Sequence, residues 1–409
     1  MKSRVYWLLA WYLKSLAVLQ LKKSKKMTVI GVTGSVGKTS CMMAIKAVLE
    51  DDFKVKISKK ANSEVGIPLD ILGFKVRSYG LVDWLWLLPV AAIKLLTNFE
   101  KYDVYVVEMG IDSPHPPKNM AWLLSIVKPK IGVFLNVFPV HTEPFEKLAG
   151  EPIDRILKEK GKLIESLPKD GWAILNKEDK RVASFANKTK ARVVRVKRSD
   201  PKLMAIAVAK IFGIDKEKAE GKFNKNYKSP PGRMTIIKGV KNTTLIDSSY
   251  NSSKASVIMA LKILDKSWLT RIILVSRKVV ILGDMRELGS LAKEEHELVA
   301  KKTSHVADVV VVVGPLMKKY FVPQLLRSGF DKSNLFVFDN TYTASKEVRE
   351  KIVQSGDYVL IKASQNTLLF EIIVEELMRD KKQAEVLLCR RGSFWDKKRA
   401  DIRKKTGTI

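Results

Sequence analysis

Cysteine and histidine are scarce in this chain. Its 409 residues include two cysteines, Cys41 and Cys389, and four histidines. Two cysteines cannot build a disulfide framework, and no group of cysteines and histidines has the spacing of a zinc site. The composition therefore excludes a disulfide-stapled secreted domain and a zinc-finger module. It suits a reducing cytosol, so we expect a cytoplasmic protein.

Acidic residues are also under-represented. The chain has 43 acidic and 74 basic residues, which gives a formal net charge of +31. Such a charge favours polyanionic partners: nucleotides, nucleic acid or an anionic membrane surface. The lysines are scattered rather than concentrated in one motif, so a generally basic proteome explains the charge equally well. We therefore predict no specific nucleic-acid partner.

Long uncharged hydrophobic runs are missing. The apolar run at 5–21 contains Lys14 and ends in a lysine-rich segment, and the run at 81–97 contains Pro89. Neither is long and charge-free enough for us to predict a transmembrane helix, and the first lacks a signal-peptide cleavage site. Two interpretations stay open: the runs pack together as helices, or they form a peripheral patch against an anionic membrane.

The segment at 27–39 is the strongest motif and reads Met-Thr-Val-Ile-Gly-Val-Thr-Gly-Ser-Val-Gly-Lys-Thr. A buried strand at 28–32, a glycine loop and a helix at 40–50 are typical of a phosphate-binding loop. Val32 stands where the general pattern Gly-x-x-x-x-Gly-Lys-Thr requires glycine, so the segment fits only the narrower pattern Thr-Gly-x-x-Gly-Lys-Thr. The alternative is a glycine turn that resembles this pattern by chance. We expect Lys38 to contact the β- and γ-phosphates and Thr39 to bind Mg²⁺. The predicted ATP contacts of the loop are Thr33, Gly34, Ser35, Val36, Gly37, Lys38 and Thr39.

Strand and helix patterns alternate after this loop. The segment 103–109 predicts a strand that ends at Glu108, and 131–137 predicts one that ends at Asn136. Polar side chains at the carboxyl ends of parallel strands lie where such sheets bind ligands. A lysine-rich helix is predicted at 151–167.

The pattern restarts after Pro230-Pro231-Gly232-Arg233, which reads as a linker. Predicted strands lie at 243–246, 279–282, 309–313, 335–338 and 358–361, with helices between them. The fold class is therefore α/β: a P-loop-type central ATPase domain with a mostly parallel sheet, and a C-terminal Rossmann-like α/β domain. The predicted divisions are an apolar, basic helix at 1–26, domains at 27–232 and 233–385, and a basic tail at 386–409. We expect residues 390–405 of this tail to be frayed.

Together these segments resemble the Mur ligase family, the ATP-dependent amide-forming enzymes of peptidoglycan precursor synthesis. The resemblance covers about residues 27–380 and is greatest to the member that adds D-alanyl-D-alanine. It is carried by 31–39, 62–68, 108–110, Asn136 with His141, Lys160 before Leu167-Pro168, 232–233, Asp247 with Tyr250-Asn251, Leu-Gly-Asp-Met-Arg-Glu-Leu-Gly at 282–289, and Lys362 with Ser364. Residues 1–26 are too few for the family's N-terminal UDP-sugar domain, so we expect that domain to be lacking.

The resemblance implies a chemistry. ATP phosphorylates a carboxylate, an amine attacks the acyl phosphate, and ADP and phosphate leave. The resemblance also implies that Glu108 and His141 ligate a second Mg²⁺ and that Lys160 is carbamylated and helps to hold this metal. Lys158 and Lys162 are the neighbouring candidates for that role, and a solvated lysine is the alternative. The other three histidines are given no catalytic role.

Further site residues are implied by the same resemblance. Arg233 is expected to reach the nucleotide phosphates across a domain cleft, and Asp247 to lie near the ribose. Ser248, Ala363 and Gln365 depart from the family pattern. The remaining expected contacts are Asn136 with ATP, and Asn62, Glu64, Asn251, Asp284, Lys362 and Ser364 with substrates.

Three functions compete at this point. The first is a ligase that joins a peptide carboxylate to D-alanyl-D-alanine or a similar amine. The second is a Mur-type ligase for another carboxylate, such as a folate or a poly-amino acid. The third is a non-catalytic, membrane-associated ATP-binding protein, which the intact Lys38, Glu108, His141 and Lys160 disfavour. We expect a monomer that acts on small-molecule or peptide-precursor substrates.

Overall fold

The chain forms two compact units, Met1–Lys228 and Ser229–Ile409, in a computed structural model. The structure describes residues 2–24, 26–58, 61–74, 81–139, 142–146, 150–266, 277–364 and 368–405. Each unit has its own mostly parallel sheet, which confirms the predicted α/β class. The four-part division proposed from the sequence stays a prediction.

The first unit is built on a parallel sheet in the order β2-β3-β1-β4-β5-β6. β1 lies between β3 and β4, so the carboxyl ends of these three strands share one edge of the sheet. The short strand β2 was not predicted, because three residues carry too little periodicity. The strands are β1 Thr28–Thr33, β2 Val55–Ile57, β3 Val104–Glu108, β4 Ile131–Phe134, β5 Trp172–Asn176 and β6 Arg192–Val196.

Helices cover both faces of this sheet, as buried parallel strands require. α2 and α8 pack on one face, and α5 and α6 on the other. The helices are α1 Lys2–Lys22, α2 Lys38–Leu49, α3 Gly66–Ile71, α4 Leu81–Thr97, α5 Met120–Leu124, α6 Pro152–Glu165, α7 Lys180–Ala183, α8 Pro201–Ile211 and α9 Lys216–Asn226, with 3₁₀ turns at Glu143–Phe145 and Ser184–Asn187.

The two apolar runs are the helices α1 and α4, and they pack against each other. Leu13 of α1 lies in one buried cluster with Leu87 of α4. The Tyr12 hydroxyl donates to the Leu88 carbonyl (2.9 Å), and the Gln20 amide donates to the Asn98 carbonyl (2.8 Å). The two helices therefore run in the same direction. Within the described residues no helix has the length and apolar character needed to cross a membrane.

The second unit has the sheet order β11-β10-β9-β12-β8-β7. β7 pairs antiparallel with β8 at one edge and was not predicted, since it follows directly on the linker-like turn. The other strands match the predicted segments to within one residue. The strands are β7 Thr235–Lys238, β8 Thr244–Asp247, β9 Lys278–Gly283, β10 Val309–Val313, β11 Leu335–Phe338 and β12 Tyr358–Lys362.

The C-terminal tail is folded, so the prediction of a frayed end is wrong. Residues 393–405 form a helix, and the Arg390 guanidinium is buried against Glu371 (2.8 Å). The helices of this unit are α10 Lys254–Lys266, α11 Ala292–Ser304, α12 Val322–Arg327, α13 Thr341–Glu347, α14 Glu371–Leu377, α15 Ala384–Leu387 and α16 Ser393–Lys405. 3₁₀ turns occur at Val240–Asn242, Gly289–Leu291, Lys332–Asn334 and Lys381–Gln383. Turns of π-helix occur at Met317–Phe321 and Val348–Ile352.

Candidate functional site

The phosphate loop joins β1 to the first turn of α2. Gly34 and Gly37 have φ of +149° and +88°, in a region that a side chain disfavours. The Lys38 amine folds back to donate to the carbonyl oxygens of Gly34 (2.9 Å) and Ser35 (3.4 Å). A glycine loop that ends at a helix N-terminus is the arrangement that binds phosphate oxygens.

A hydroxyl and a carboxylate meet beside this loop. The Thr39 Oγ1 donates to Glu108 Oε2 (2.7 Å), which links the start of α2 to the end of β3. The Asn62 amide lies 3.5 Å from the other Glu108 carboxylate oxygen, and the Ser58 hydroxyl accepts from the Glu108 N–H (2.9 Å). Three residues predicted separately, Asn62, Glu108 and Thr39, are therefore brought together. Oxygen ligands of this kind suit Mg²⁺.

Lys160 approaches the loop from the opposite side. Its amine lies 3.3 Å from the Gly34 carbonyl oxygen, the same oxygen that Lys38 contacts. The side chain is only 5% exposed, whereas Lys158 is exposed and Lys162 pairs with Glu159 (2.6 Å). Burial, and then repulsion from Lys38, lowers the pKa of Lys160 to about 7. Of the three candidate lysines, Lys160 is the one that reaches the loop.

Gly161 lets α6 come this close. A Cβ at Gly161 would lie 2.0 Å from ring atoms of Phe185. Phe185 is itself buried against Phe134, with ring centroids 5.7 Å apart. The absence of a side chain at Gly161 thus sets the position of its neighbour Lys160.

Asn136 and Thr33 support the loop from beneath. The Asn136 side chain accepts from the Val36 N–H (2.9 Å) and donates to the Val36 carbonyl (3.0 Å). The Ser35 N–H donates to the Asn136 carbonyl (3.0 Å). Thr33 is fully buried, and its hydroxyl donates to the Met109 carbonyl (3.0 Å). In this structure both side chains hold the loop, and their direct contact with ATP stays a prediction.

Glu64 is linked to the N-terminal helix. It is buried and accepts a hydrogen bond from the Tyr6 hydroxyl. Burial, followed by this hydrogen bond, raises the pKa of Tyr6. Asp112, which the sequence reasoning missed, acts electrostatically on both Tyr6 and Lys160. The available signal was a carboxylate four residues after Glu108.

The predicted metal set is only partly described. His141 lies outside the described residues. Among those described, no group of three or more His, Cys, Asp or Glu side chains is arranged to hold a metal. The described groups that can ligate a metal are the Thr39 hydroxyl and the Glu108 carboxylate. Lys160 would contribute a metal-binding oxygen only as its carbamate. These residues fit a Mg²⁺ ion that is completed by phosphate oxygens and water.

A second cluster lies at the carboxyl end of the sheet in the second unit. Lys362, at the end of β12, is buried and donates to the Ser248 hydroxyl (3.2 Å) and the Asn251 carbonyl (2.7 Å). Burial, and then repulsion from Arg233, lowers the pKa of Lys362 to about 7. Ser248, which departs from the family pattern, is therefore a direct partner of the predicted substrate-side lysine.

Ser364 and Asp284 belong to the same cluster. The Ser364 hydroxyl accepts from the Arg286 N–H (2.9 Å), and the Ser364 N–H donates to the Asp284 carbonyl (3.2 Å). His296 is fully buried, and its Nε2 accepts from the Met285 N–H (3.1 Å). This histidine supports the turn after β9, and its lack of a catalytic role stays a prediction.

Asp247 and Arg233 lie near the start of this unit. Asp247 is fully buried; one carboxylate oxygen accepts from the Ser249 N–H (2.9 Å), and the other has no hydrogen-bond partner among the described residues. Burial raises the pKa of Asp247. The Arg233 guanidinium stacks over the Tyr250 ring at 4.2 Å. Arg390, which we did not predict, donates to the Tyr250 carbonyl and anchors this segment.

Comparison with known proteins assigns the family. The Mur ligase middle domain model matches residues 32–236, and the model of the Mur ligase, glutamate ligase domain matches residues 232–365. The chain therefore belongs to the Mur ligase family, as its motifs predicted.

Individual relatives agree with this assignment. The UDP-N-acetylmuramoyl-tripeptide--D-alanyl-D-alanine ligase of Mycobacterium bovis is 27% identical over 333 residues, which are 70% of this chain and 58% of that protein. The chain thus spans less than two thirds of this relative. MurF from Acinetobacter baumannii has a TM-score of 0.68 at 19% identity, covering 90% of this chain and 80% of that one. MurF from Thermotoga maritima, in complex with ADP, has a TM-score of 0.68 at 21% identity, covering 92% and 84%. At these identities the two structures support the fold alone.

Proposed function

We propose that this chain is an ATP-dependent ligase that joins a carboxylate to an amine and releases ADP and phosphate. Membership of the Mur ligase family gives the reaction class. The observation that carries the proposal is the convergence of Lys38, Thr39, Glu108 and Lys160 on one phosphate loop. The preferred substrates are a peptidoglycan-precursor carboxylate and D-alanyl-D-alanine or a similar amine.

The first step is phosphoryl transfer. An oxygen of the acceptor carboxylate attacks the γ-phosphorus of ATP, the bond to the β-bridging oxygen breaks, and ADP leaves with that electron pair. Negative charge spreads over the transferred oxygens, so catalysis is mainly positioning and charge neutralisation. The loop N–H groups and the Lys38 ammonium are the groups of this chain that are suited to hold those oxygens.

The second step forms the amide. The amine attacks the carbonyl carbon of the acyl phosphate, and phosphate leaves from the tetrahedral intermediate as the amine nitrogen loses a proton. In the second unit, Lys362 and Ser364 are the side chains that we assign to the amine substrate. Their shared contacts with the segment 248–252 hold both at the end of the sheet.

Mg²⁺ and carbamylation of Lys160 are part of the proposal. One Mg²⁺ would be held by Thr39 and a second by Glu108 with His141, and both would neutralise phosphate charge. Lys160 can react with CO₂ only as a neutral amine, and its burial beside Lys38 favours that form. The carbamate would replace a buried cation by an anion next to Lys38.

The deciding experiment is ATP turnover against a panel of acceptor–amine pairs, with the product mass read directly. The panel contains peptidoglycan-precursor carboxylates, folates and poly-amino acids, so it also tests the alternative Mur-type substrates. We expect ADP, phosphate and an amide product, all abolished by EDTA and restored by Mg²⁺. ATP turnover without any ligated product, across the whole panel, would contradict the ligase assignment.

Peripheral contact with an anionic membrane, the other partner suggested by the composition, also stays a proposal. It concerns the surface of the first unit that α1 and α4 form.

A further inference from the structure

The surface of α1 and α4 is unusually apolar. Ten of the seventeen exposed large hydrophobic side chains of the described residues belong to α1, to α4 or to Phe99 just after α4. They include Leu8 (64% exposed), Trp86 (73%) and Phe99 (74%). Single exposed apolar residues are common, but a concentration on two adjacent helices marks an interaction surface.

These exposed residues form stripes opposite the buried sides of the helices. In α1, Ala10, Leu13 and Ala17 are buried, whereas Leu8 and Trp11 are exposed on the other side. In α4, Leu87 and Ala91 are buried, whereas Trp86, Ile93 and Leu96 are exposed. Packing α1 against α4 thus covers only one side of each helix. A helix that is apolar on its outer side as well needs a second apolar neighbour.

The charge of α1 is of one sign. α1 contains no acidic residue, and its apolar stripe ends in the exposed Lys22, Lys23 and Lys26. Lys14 lies 4.4 Å from the centroid of the Trp122 ring, beside Trp7, whose ring centroid is 6.0 Å from that of Trp122. Aromatic and aliphatic residues flanked by lysine are the composition that binds the interface of an anionic membrane.

We propose that the outer stripes of α1 and α4 dock on the headgroup region of a bilayer that contains anionic lipid. Trp11, Leu8 and Trp86 enter the boundary between headgroups and acyl chains, and the lysines at the end of α1 contact lipid phosphates. The occupant is lipid rather than a second copy of the chain, because a surface with basic residues and no acidic residue in α1 repels its own copy.

Docking would orient the candidate active site. Tyr6 follows Val5 of the exposed stripe, and its hydroxyl donates to Glu64. Glu64 belongs to the same segment as Asn62, which contacts Glu108. The docked helix is therefore joined through a few contacts to the part of the site that contains Asn62 and Glu108.

The test is flotation of the full chain with vesicles of phosphatidylcholine, with or without 30% phosphatidylglycerol, at low and high salt. We expect binding to the anionic vesicles only, weakened by salt, with a blue shift of tryptophan fluorescence. The double variant Leu8→Glu/Trp11→Glu should lower the vesicle partition coefficient at least tenfold. Met259→Glu, at an apolar position of the second unit that is 50% exposed, is the control and should float like the wild type.

A second set of variants tests the contribution of charge by comparing two pairs of exposed lysines near helix ends. Lys22→Glu/Lys26→Glu should weaken binding about tenfold, whereas Lys301→Glu/Lys302→Glu should leave it unchanged. Absence of flotation at low salt, or equal loss in both lysine pairs, would overturn the proposal. So would a concentration-dependent dimer that Leu8→Glu/Trp11→Glu abolishes in a protein that ignores vesicles. Ligation of soluble substrates by the wild type is measured in parallel. A wild type that binds anionic vesicles but forms no ligated product would contradict the proposed function and leave the docking proposal standing.

Discussion

The amines of Lys38 and Lys160 share one acceptor, the carbonyl oxygen of Gly34, at 2.9 and 3.3 Å. Lys160 is buried and Lys38 is half-buried; burial of Lys160, and then repulsion between the two amines, lowers the pKa of Lys160. An anion beside the loop would relieve that repulsion. The pair therefore favours an anion at this position, which the proposed phosphate and carbamate would provide.

Lys38→Ala should lower kcat by about 10²–10³-fold, because the charge of the transferred phosphoryl group loses a neutralising partner. The measurement is ADP release at saturating ATP. Lys46→Ala is the control: Lys46 lies on the same helix, half-buried and paired with Glu50 (2.8 Å), and its variant should keep wild-type turnover. Equal turnover in Lys38→Ala and the wild type would contradict the role of the loop.

Lys160→Ala should lose more than about 100-fold in turnover, and added formate or acetate should restore part of it by supplying an anion at the vacated position. Incubation of the wild type with ¹³C-bicarbonate should give a carbamate signal in the NMR spectrum that is missing from this variant. Lys158→Ala, one exposed lysine of the same helix, should behave as the wild type. A fully active Lys160→Ala would refute the assignment.

Much of the fold followed from local pattern. The strand Val309–Val313, which is buried, and the edge strand Leu335–Phe338 were predicted with their observed bounds. Short continuous runs of apolar, β-branched or aromatic residues are typical of strands. The strands at Val55–Ile57 and Thr235–Lys238 were missed, since each is short and stabilised by its neighbours in the sheet. The folded tail was missed for a similar reason. In the sequence Arg390 cannot be distinguished from the other basic residues of the tail, because its pairing with Glu371 depends on how the chain folds.

The site was predictable where a residue's role is set by the chain close to it. Lys38 and Thr39 follow from the glycine loop, and Glu108 from its position at the end of a strand. The link between Tyr6 and Glu64, 58 residues apart, and that between Lys160 and Gly34, 126 residues apart, depend on how helices pack on the sheet. Such contacts leave no local pattern, so only the family resemblance pointed to Lys160, and nothing pointed to Tyr6.

Lys362 should make stability depend on pH. Its pKa of about 7 in the folded chain lies below the ordinary lysine pKa of 10.5, so between these values the unfolded chain binds more protons than the folded one. Stability should therefore rise with pH from about 7 to about 10. Lys362→Met should flatten this rise in urea unfolding curves, whereas Lys238→Met, at an exposed position, should not. If the free energy of unfolding of Lys362→Met rises with pH as steeply as that of the wild type, the Lys362 amine stays protonated in the folded chain.

Arg390→Met should destabilise the second unit by about 3–5 kcal/mol, because it leaves the fully buried Glu371 without its closest cation. Adding Glu371→Gln to this variant should recover part of the loss, since the buried charge is then removed as well. Thermal unfolding measures both. If the double variant is less stable than Arg390→Met, the ion pair is not the cause.

The transfer of oxygen from the acceptor to phosphate tests the central claim most directly. A ligase substrate whose carboxylate is labelled with ¹⁸O is incubated with ATP, Mg²⁺ and the amine, and the phosphate is analysed by mass spectrometry. An acyl-phosphate mechanism predicts ADP and inorganic phosphate that carries one ¹⁸O atom per amide formed. AMP and pyrophosphate, or phosphate without ¹⁸O, would contradict it.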